Sequence, residues 1–171
     1  MEKESREFNV VRARAEDAAA LLEYLKIVGG ETENLSFGAE GVPIPPEAEE
    51  AYLRAQEDSA DNAQYVAKVG TEIIGTASLI RKHNRMSHRG VFGISLKKAW
   101  WGCGAARAMA EAIIDFARKN GFSQLNIEVR SDNVRAIRLY EKLGFRKLCT
   151  FPAFFRIDGR DIDFDLMNLS L

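Results

Sequence analysis

Residues 93–113 read GISLKKAWWGCGAARAMAEAI, and the architecture turns on how Gly93 to Ile113 is understood. An apolar run, Gly90 to Leu96, has the character of a strand and passes through Gly102 and Gly104 into a segment of helical spacing. That spacing predicts a helix over Ala105 to Lys119. Met109, Ala112, Ile113, Phe116 and Ala117 form one stripe, and Gly121 is the stop. A strand-to-helix turn of this kind leaves backbone N–H groups unpaired at the helix start. They lie at the positive end of the helix dipole and form a cradle suited to a phosphate. Gly102 and Gly104 allow unusual φ values and let a ligand come close to the backbone. Ala105 and Ala106 keep the first turn slim, while Arg107 either adds charge or faces solvent. The same residues also suit a plain tight turn. A dinucleotide fingerprint would need a third small residue where Arg107 stands, and a P-loop would need Gly-Lys-Ser/Thr. Neither is present.

On both sides of this stretch helices and strands interleave. Phe8 to Arg12 reads as an opening strand. Ala15 to Ile27 reads as an amphipathic helix carrying Ala18, Leu21, Leu22, Leu25 and Val28, stopped by Gly29-Gly30. Glu31 to Pro46 is a long loop, and Pro46 opens a second helix to about Glu57. Tyr65 to Val69 and Glu72 to Ile80 form a hairpin about Gly70-Thr71. A basic turn, Arg81 to Arg89, leads back to the strand before the glycine turn. Beyond the central helix, Leu125, Ile127 and Val129 alternate as a strand. Val134 to Leu143 is a helix closed by Gly144. The tail is a hairpin about Asp158-Gly159, with strands Phe154 to Ile157 and Ile162 to Met167. The pattern is that of a single α/β (or α+β) domain over residues 1–171, with one sheet and helices on its faces.

The 171 residues are 46% hydrophobic and 29% charged, with a formal net charge of −1. This is a globular composition without the basic excess expected for nucleic acid or an anionic membrane as partner. The start, MEKESREF, lacks an apolar signal-peptide region, and no stretch has the length of a membrane span, so a cytoplasmic location is expected. Cys103 and Cys149 are too few for a disulfide framework and lack metal-ligand spacing; no metal is expected.

The run from Ile94 to Phe145 resembles the GCN5-related N-acetyltransferase family. That family's pattern is a strand, a turn Gln/Arg-x-x-Gly-x-Gly/Ala, a helix, a strand, then Asn-x-x-Ala-x-x-Leu-Tyr-x-x-x-Gly-Phe. Gly104 and Ala106 keep the turn, but Trp101 stands in place of Gln/Arg. The second motif is complete in Asn133, Ala136, Leu139, Tyr140, Gly144 and Phe145. The order of the other elements also agrees, so the resemblance covers nearly the whole chain. It implies a single mixed, mostly antiparallel sheet with splayed central strands and helices on both faces. It also implies acetyl-CoA as cosubstrate and an acetyl group moved to a primary amine by direct attack. Backbone groups of Ile94, Ser95 and Leu96 would meet the pantetheine arm as an added strand would. The amides of Gly102, Cys103, Gly104, Ala105 and Ala106 would take the pyrophosphate, with Trp101 and Arg107 beside them. Asn133, Ala136 and Tyr140 would close the other side.

The reaction needs a neutral amine, a stabilised oxyanion and a proton for the departing thiolate. An alkyl amine has a pKa of about 10, so a base or a water chain is useful. Tyr140 matches the tyrosine that serves the thiolate in many family members; its alternative is a packed aromatic on the helix face. Glu128 shares a polar face with Asn126 and Arg130 by period two. Some relatives place a general-base glutamate there; the alternative is a surface carboxylate paired with Arg130 or a neighbouring strand. Cys103, at a helix start, has the position of an activated nucleophile but no His/Asp partner, and reads as a tolerated small residue. His83 and His88 belong to a solvated basic turn. Trp100-Trp101 either stacks on a ligand or anchors the turn.

The acceptor is expected where the 31–46 loop meets the tail hairpin. Glu31, Glu33 and Glu40 would draw a cationic amine, and Phe37, Phe154 and Phe155 would wall the pocket. Dimers are common among relatives, so a homodimer is one arrangement the resemblance allows. The rival of another class is a catalytically silent CoA-binding sensor or interaction module of the same fold. A nucleotide-cofactor oxidoreductase is disfavoured by Arg107.

Overall fold

The computed structural model describes residues 7–171, so most of the charged start lies outside the described residues. A seven-stranded sheet runs through the molecule in the order β1-β2-β3-β4-β5-β7-β6. The strands are β1 (Asn9–Arg12), β2 (Asn62–Val69), β3 (Glu72–Arg81), β4 (Arg89–Leu96), β5 (Gln124–Arg130), β6 (Arg146–Ile157) and β7 (Arg160–Ser170). The helices are α1 (Ala18–Glu31), α2 (Pro46–Gln56), α3 (Ala105–Lys119) and α4 (Val134–Lys142). Among the described residues no helix is long and apolar enough to cross a membrane.

Neighbouring strands pair antiparallel except β4 and β5, which run parallel. Their pairing covers Arg89↔Gln124, Gly90↔Leu125 and Val91↔Asn126, and stops there. β4 continues to Leu96 and β5 to Arg130, so the two strands part towards their carboxyl ends. This is the splay that the resemblance implies.

Two cores flank the sheet. α3 and α4 cover one face, where Met109, Ile113, Leu125 and Met167 pack with Tyr140 and Phe145. α1 and α2 cover the other, around Leu21, Tyr24, Leu53 and Val66. Burying side chains of this size contributes roughly 1.5–3 kcal/mol each, which fixes which face of each helix turns inward. In α1 the buried tyrosine is Tyr24, and Leu25 is only partly covered.

Three expectations need correction. Gly29-Gly30 does not stop α1, which runs on to Glu31. A Cβ on Gly29 would stand 2.1 Å from the carbonyl oxygen of Gly38, so glycine here admits the following loop against the helix. The first helix begins later than Ala15, because Ala15–Asp17 form a 3-10 turn. The tail strands are longer than predicted, since β6 starts at Arg146 and β7 ends at Ser170. β6 is an edge strand, exposed almost throughout, with register breaks at Lys147/Cys149 and Phe151/Phe155. An exposed, bulged edge carries no period-two signal. The hairpin turn itself falls at Asp158-Gly159 as predicted, both residues having positive φ.

Candidate active site

The candidate residues gather where β4 and β5 part. β4 ends at Leu96, and the chain returns to α3 through a 3-10 turn at Lys98–Trp100 and the two glycines. Gly102 has φ 79° and Gly104, the residue capping α3, has φ 94°. A Cβ on Gly104 would meet nothing within 4 Å, so the turn faces open space. Ala105 is buried beneath it, while Ala106 and Cys103 are half-buried. Arg107 is exposed and pairs with Glu111 at 2.8 Å.

Trp101 is an anchor. Its indole Nε1–H donates to the carbonyl oxygen of Leu96 at 2.9 Å, which ties the turn to the end of β4. The guanidinium of Arg135, from the first turn of α4, lies 3.5 Å from the centre of the indole ring. Glu31 also belongs to this turn, because its Oε2 accepts the backbone N–H of Lys98 at 2.7 Å.

On β5 and beyond, Asn133 caps α4. Its Oδ1 accepts the N–H of Ala136 at 3.3 Å, which leaves the Nδ2 amide as its donor for other partners. Ser131, two residues earlier, donates to Asp165 at 2.7 Å, and Thr150 donates to the same carboxylate oxygen at 2.8 Å. Lys147 lies 2.9 Å from that oxygen. Burial of Asp165 works against its charge, but these three donors outweigh it and hold the carboxyl below its ordinary range.

Tyr140 is 5% exposed. Its ring meets Phe92 edge-on at 6.2 Å and lies 5.9 Å from Phe145. Phe92 follows Val91, the last β4 residue paired to β5, so Tyr140 stands at the point of parting. Burial raises its phenol well above the ordinary range, and the hydroxyl stays protonated at neutral pH.

Glu128 is exposed on the face of β5 opposite the buried Leu125, Ile127 and Val129. Arg130 does not pair with it: the guanidinium takes Asp132 at 2.7 Å and Glu33 at 3.5 Å. Across β4, Ser95 shares a 2.8 Å hydrogen bond with the buried hydroxyl of Tyr24. Burial, the largest influence, pushes the Tyr24 phenol well up despite that bond.

A cavity of about 400 Å³ lies between the loop after α1 and the β6–β7 hairpin. Glu33, Phe37 and Glu40 line it from one side, and Phe154, Phe155 and Arg156 from the other. Phe155 and Phe154 are backed by Phe164, at 4.2 Å and 4.9 Å between ring centres. Glu33 is 3.5 Å from both Arg130 and Arg160, so the loop is tied to β5 and to the hairpin. Glu40 accepts the Gly38 N–H, which holds its carboxyl below the ordinary range. Glu31, expected here, is absent from this lining and serves the glycine turn instead.

Sequence reasoning missed Tyr24, Asp165 and the Arg135–Trp101 stack. Tyr24 carries a signal, being a polar-tipped residue three places after Leu21 on a buried stripe. Arg135 carries a weaker one, a cation in the first turn of a helix where the dipole disfavours it. Asp165 carries none, since its partners come from two segments distant in sequence, Ser131 after β5 and Lys147 and Thr150 on β6.

A sheet parted between two parallel strands, with a phosphate-type turn after the first and an asparagine-capped helix after the second, defines the fold class. The model of the Acetyltransferase (GNAT) family matches residues 31–145, and the chain belongs to that family. N-alpha-acetyltransferase RimI of Mycobacterium tuberculosis is 29% identical over 120 residues, covering 70% of this chain and 72% of that protein. The ribosomal protein bS18-alanine N-acetyltransferase of Escherichia coli is 36% identical over 72 residues, 42% of this chain and 49% of that enzyme. Human N-acetyltransferase 8B is 28% identical over 102 residues, 58% of this chain and 44% of that protein. The chain thus spans about half or less of the length of these last two relatives. Among solved structures, a GNAT-family acetyltransferase from Streptococcus pneumoniae superposes with a TM-score of 0.92 at 27% identity, covering 96% of this chain and all of that one. The yncA protein of Salmonella typhimurium, solved with acetyl-CoA, has a TM-score of 0.83 at 22% identity, covering 97% and 95% of the two chains.

Proposed function

We propose that this chain is an acetyl-CoA-dependent N-acetyltransferase that moves an acetyl group to a primary amine of a small molecule or protein within a ternary complex. The observation that carries the reading is the meeting of the open glycine turn, the Asn133 amide and the buried Tyr140 ring where β4 and β5 part. The residues fit the cosubstrate. Beyond Val91 the two strands no longer pair with each other, so their facing edges offer hydrogen bonds to an extended polar arm. A Cβ on Gly104, the residue capping α3, would meet nothing within 4 Å, so a pyrophosphate has room at the start of this helix, whose first N–H groups have no partner within the helix.

When bound, acetyl-CoA supplies the activated acetyl thioester. Ile94 and Leu96 would hold the arm through their backbone, with Leu96 already engaged on its carbonyl by Trp101. Asn133 would donate from Nδ2, its oxygen being committed to the helix cap. Tyr140, whose phenol carries its proton at neutral pH, would donate it to negative charge developing on the leaving sulfur. Glu128, exposed and bypassed by Arg130, would accept the amine proton directly or through water. Glu33, Phe37 and Glu40 would form the acceptor side, an aromatic wall with two carboxylates, of which Glu33 is already shared with Arg130 and Arg160. Two relatives named for α-amine and for alanine acetylation make a peptide α-amine the first acceptor to try.

The test is a panel of peptides and small amines with acetyl-CoA, followed by thiol release and by mass of the product. Acetylated amine appearing only with intact chain supports the reading. Thermal stabilisation by acetyl-CoA without turnover of any amine would favour the CoA-binding sensor.

A further inference from the structure

We propose that Arg135, held on the face of Trp101, contacts a phosphate of acetyl-CoA and supplies from α4 the side-chain contact that the glycine turn lacks. The proposal rests on the acetyl-CoA reading above. Family members carry Gln or Arg at the position of Trp101, and tryptophan cannot bind a phosphate through charge. What tryptophan does here is visible in its contacts. Its N–H is spent on the Leu96 carbonyl, and its ring holds the Arg135 guanidinium 3.5 Å from its centre. Lys98 adds a second cation 6.0 Å from the same ring.

The position of Arg135 is otherwise hard to account for. It is the second residue of α4, where the dipole disfavours a positive charge. Among the described residues no carboxylate lies within ion-pair distance of it, whereas Arg107 and Arg130 both have one. It is exposed, so burial does not hold it in place. A stacked guanidinium keeps its edge N–H groups available, and that edge suits a phosphate. Trp101 directly precedes Gly102, so the cation stands at the mouth of the turn. A phosphate there would satisfy the helix dipole and the unpaired cation together. The pyrophosphate and the ribose 3′-phosphate share this chemistry.

The test is calorimetric titration of the full chain and of Arg135→Ala with acetyl-CoA and with 3′-dephospho-acetyl-CoA. Acetyl-pantetheine, which has no phosphate, is compared as a donor in the turnover assay. Loss of a charge-assisted hydrogen bond predicts roughly tenfold weaker acetyl-CoA binding by Arg135→Ala, with the gap narrowing as salt is raised. The KM for acetyl-pantetheine should stay unchanged. A loss that persists with the dephospho form assigns Arg135 to the pyrophosphate, and one that disappears assigns it to the 3′-phosphate. Wild-type affinity in Arg135→Ala overturns the proposal, as does an equal loss with acetyl-pantetheine. If the unaltered chain does not bind acetyl-CoA, the reading beneath fails and takes this inference with it. Circular dichroism confirms that the variant is folded.

Discussion

The segment from β4 to α4 and the pair formed by the 32–45 loop with the β6–β7 hairpin, the proposed donor and acceptor sides, are built by different means. The first is made largely of backbone: a turn set by two glycines, a strand edge left open, and a helix capped by Asn133. The second is made of side chains brought together from distant segments, with Glu33 bridged to Arg130 and Arg160, and Phe37 facing Phe154 and Phe155 across the cavity. Backbone recognition constrains sequence tightly, because few residues allow the required conformation. Side-chain recognition constrains it loosely, because many residues can line a wall. On the proposed reading the donor side would be the part shared widely in such a fold, and the acceptor side the part that sets specificity.

This contrast can be broken by substitution, and the largest effect is expected on the donor side. Tyr140→Phe should lower kcat on the order of 100-fold, the scale of a lost general acid, while acetyl-CoA affinity measured by calorimetry stays the same. Equal kcat would return Tyr140 to the role of a packed aromatic between Phe92 and Phe145. Asp165→Ala removes the acceptor shared by Ser131, Thr150 and Lys147. It should destabilise the chain by about 1–3 kcal/mol in chemical denaturation, with Asp165→Asn costing less. An unchanged midpoint would show that the Ser131 loop holds without it.

On the acceptor side, Phe37→Ala should raise the KM for the amine without moving acetyl-CoA affinity. A matching loss of acetyl-CoA affinity would show that the two sides are not separable. The smallest effect concerns both cores. Tyr24 and Tyr140 have folded-state pKa values raised by burial. Above about pH 10 the unfolded chain loses these protons while the native chain keeps them, so stability should fall as pH rises past that point. Tyr24→Phe should flatten the decline in melting temperature, and an unaltered slope would remove Tyr24 as a cause.

How much could be read from the sequence follows the same division. The α3 boundaries, Gly102 and Gly104, and the asparagine at the head of α4 were legible because glycine, cap and period leave local marks. Gly29-Gly30 misled, since a glycine pair can admit a neighbouring loop as readily as end a helix; the contact with Gly38 is long-range and leaves no mark. β6 was legible only at its Phe154 end. Its first residues face solvent and are interrupted by bulges, so alternation fails there. Glu31 was placed with the acceptor on charge alone, whereas geometry gives it to the Lys98 amide. The cavity residues Glu33 and Phe37 were named from loop composition, and what joins them to Phe154 and Phe155 is tertiary packing.

The most direct measurement is hydrogen–deuterium exchange of the full chain with and without saturating acetyl-CoA. Protection is predicted over residues 93–106 and 130–136, with the β6–β7 hairpin unchanged until an amine is added. Protection centred on the hairpin and the 32–45 loop, or none at all, would contradict a cosubstrate held where β4 and β5 part.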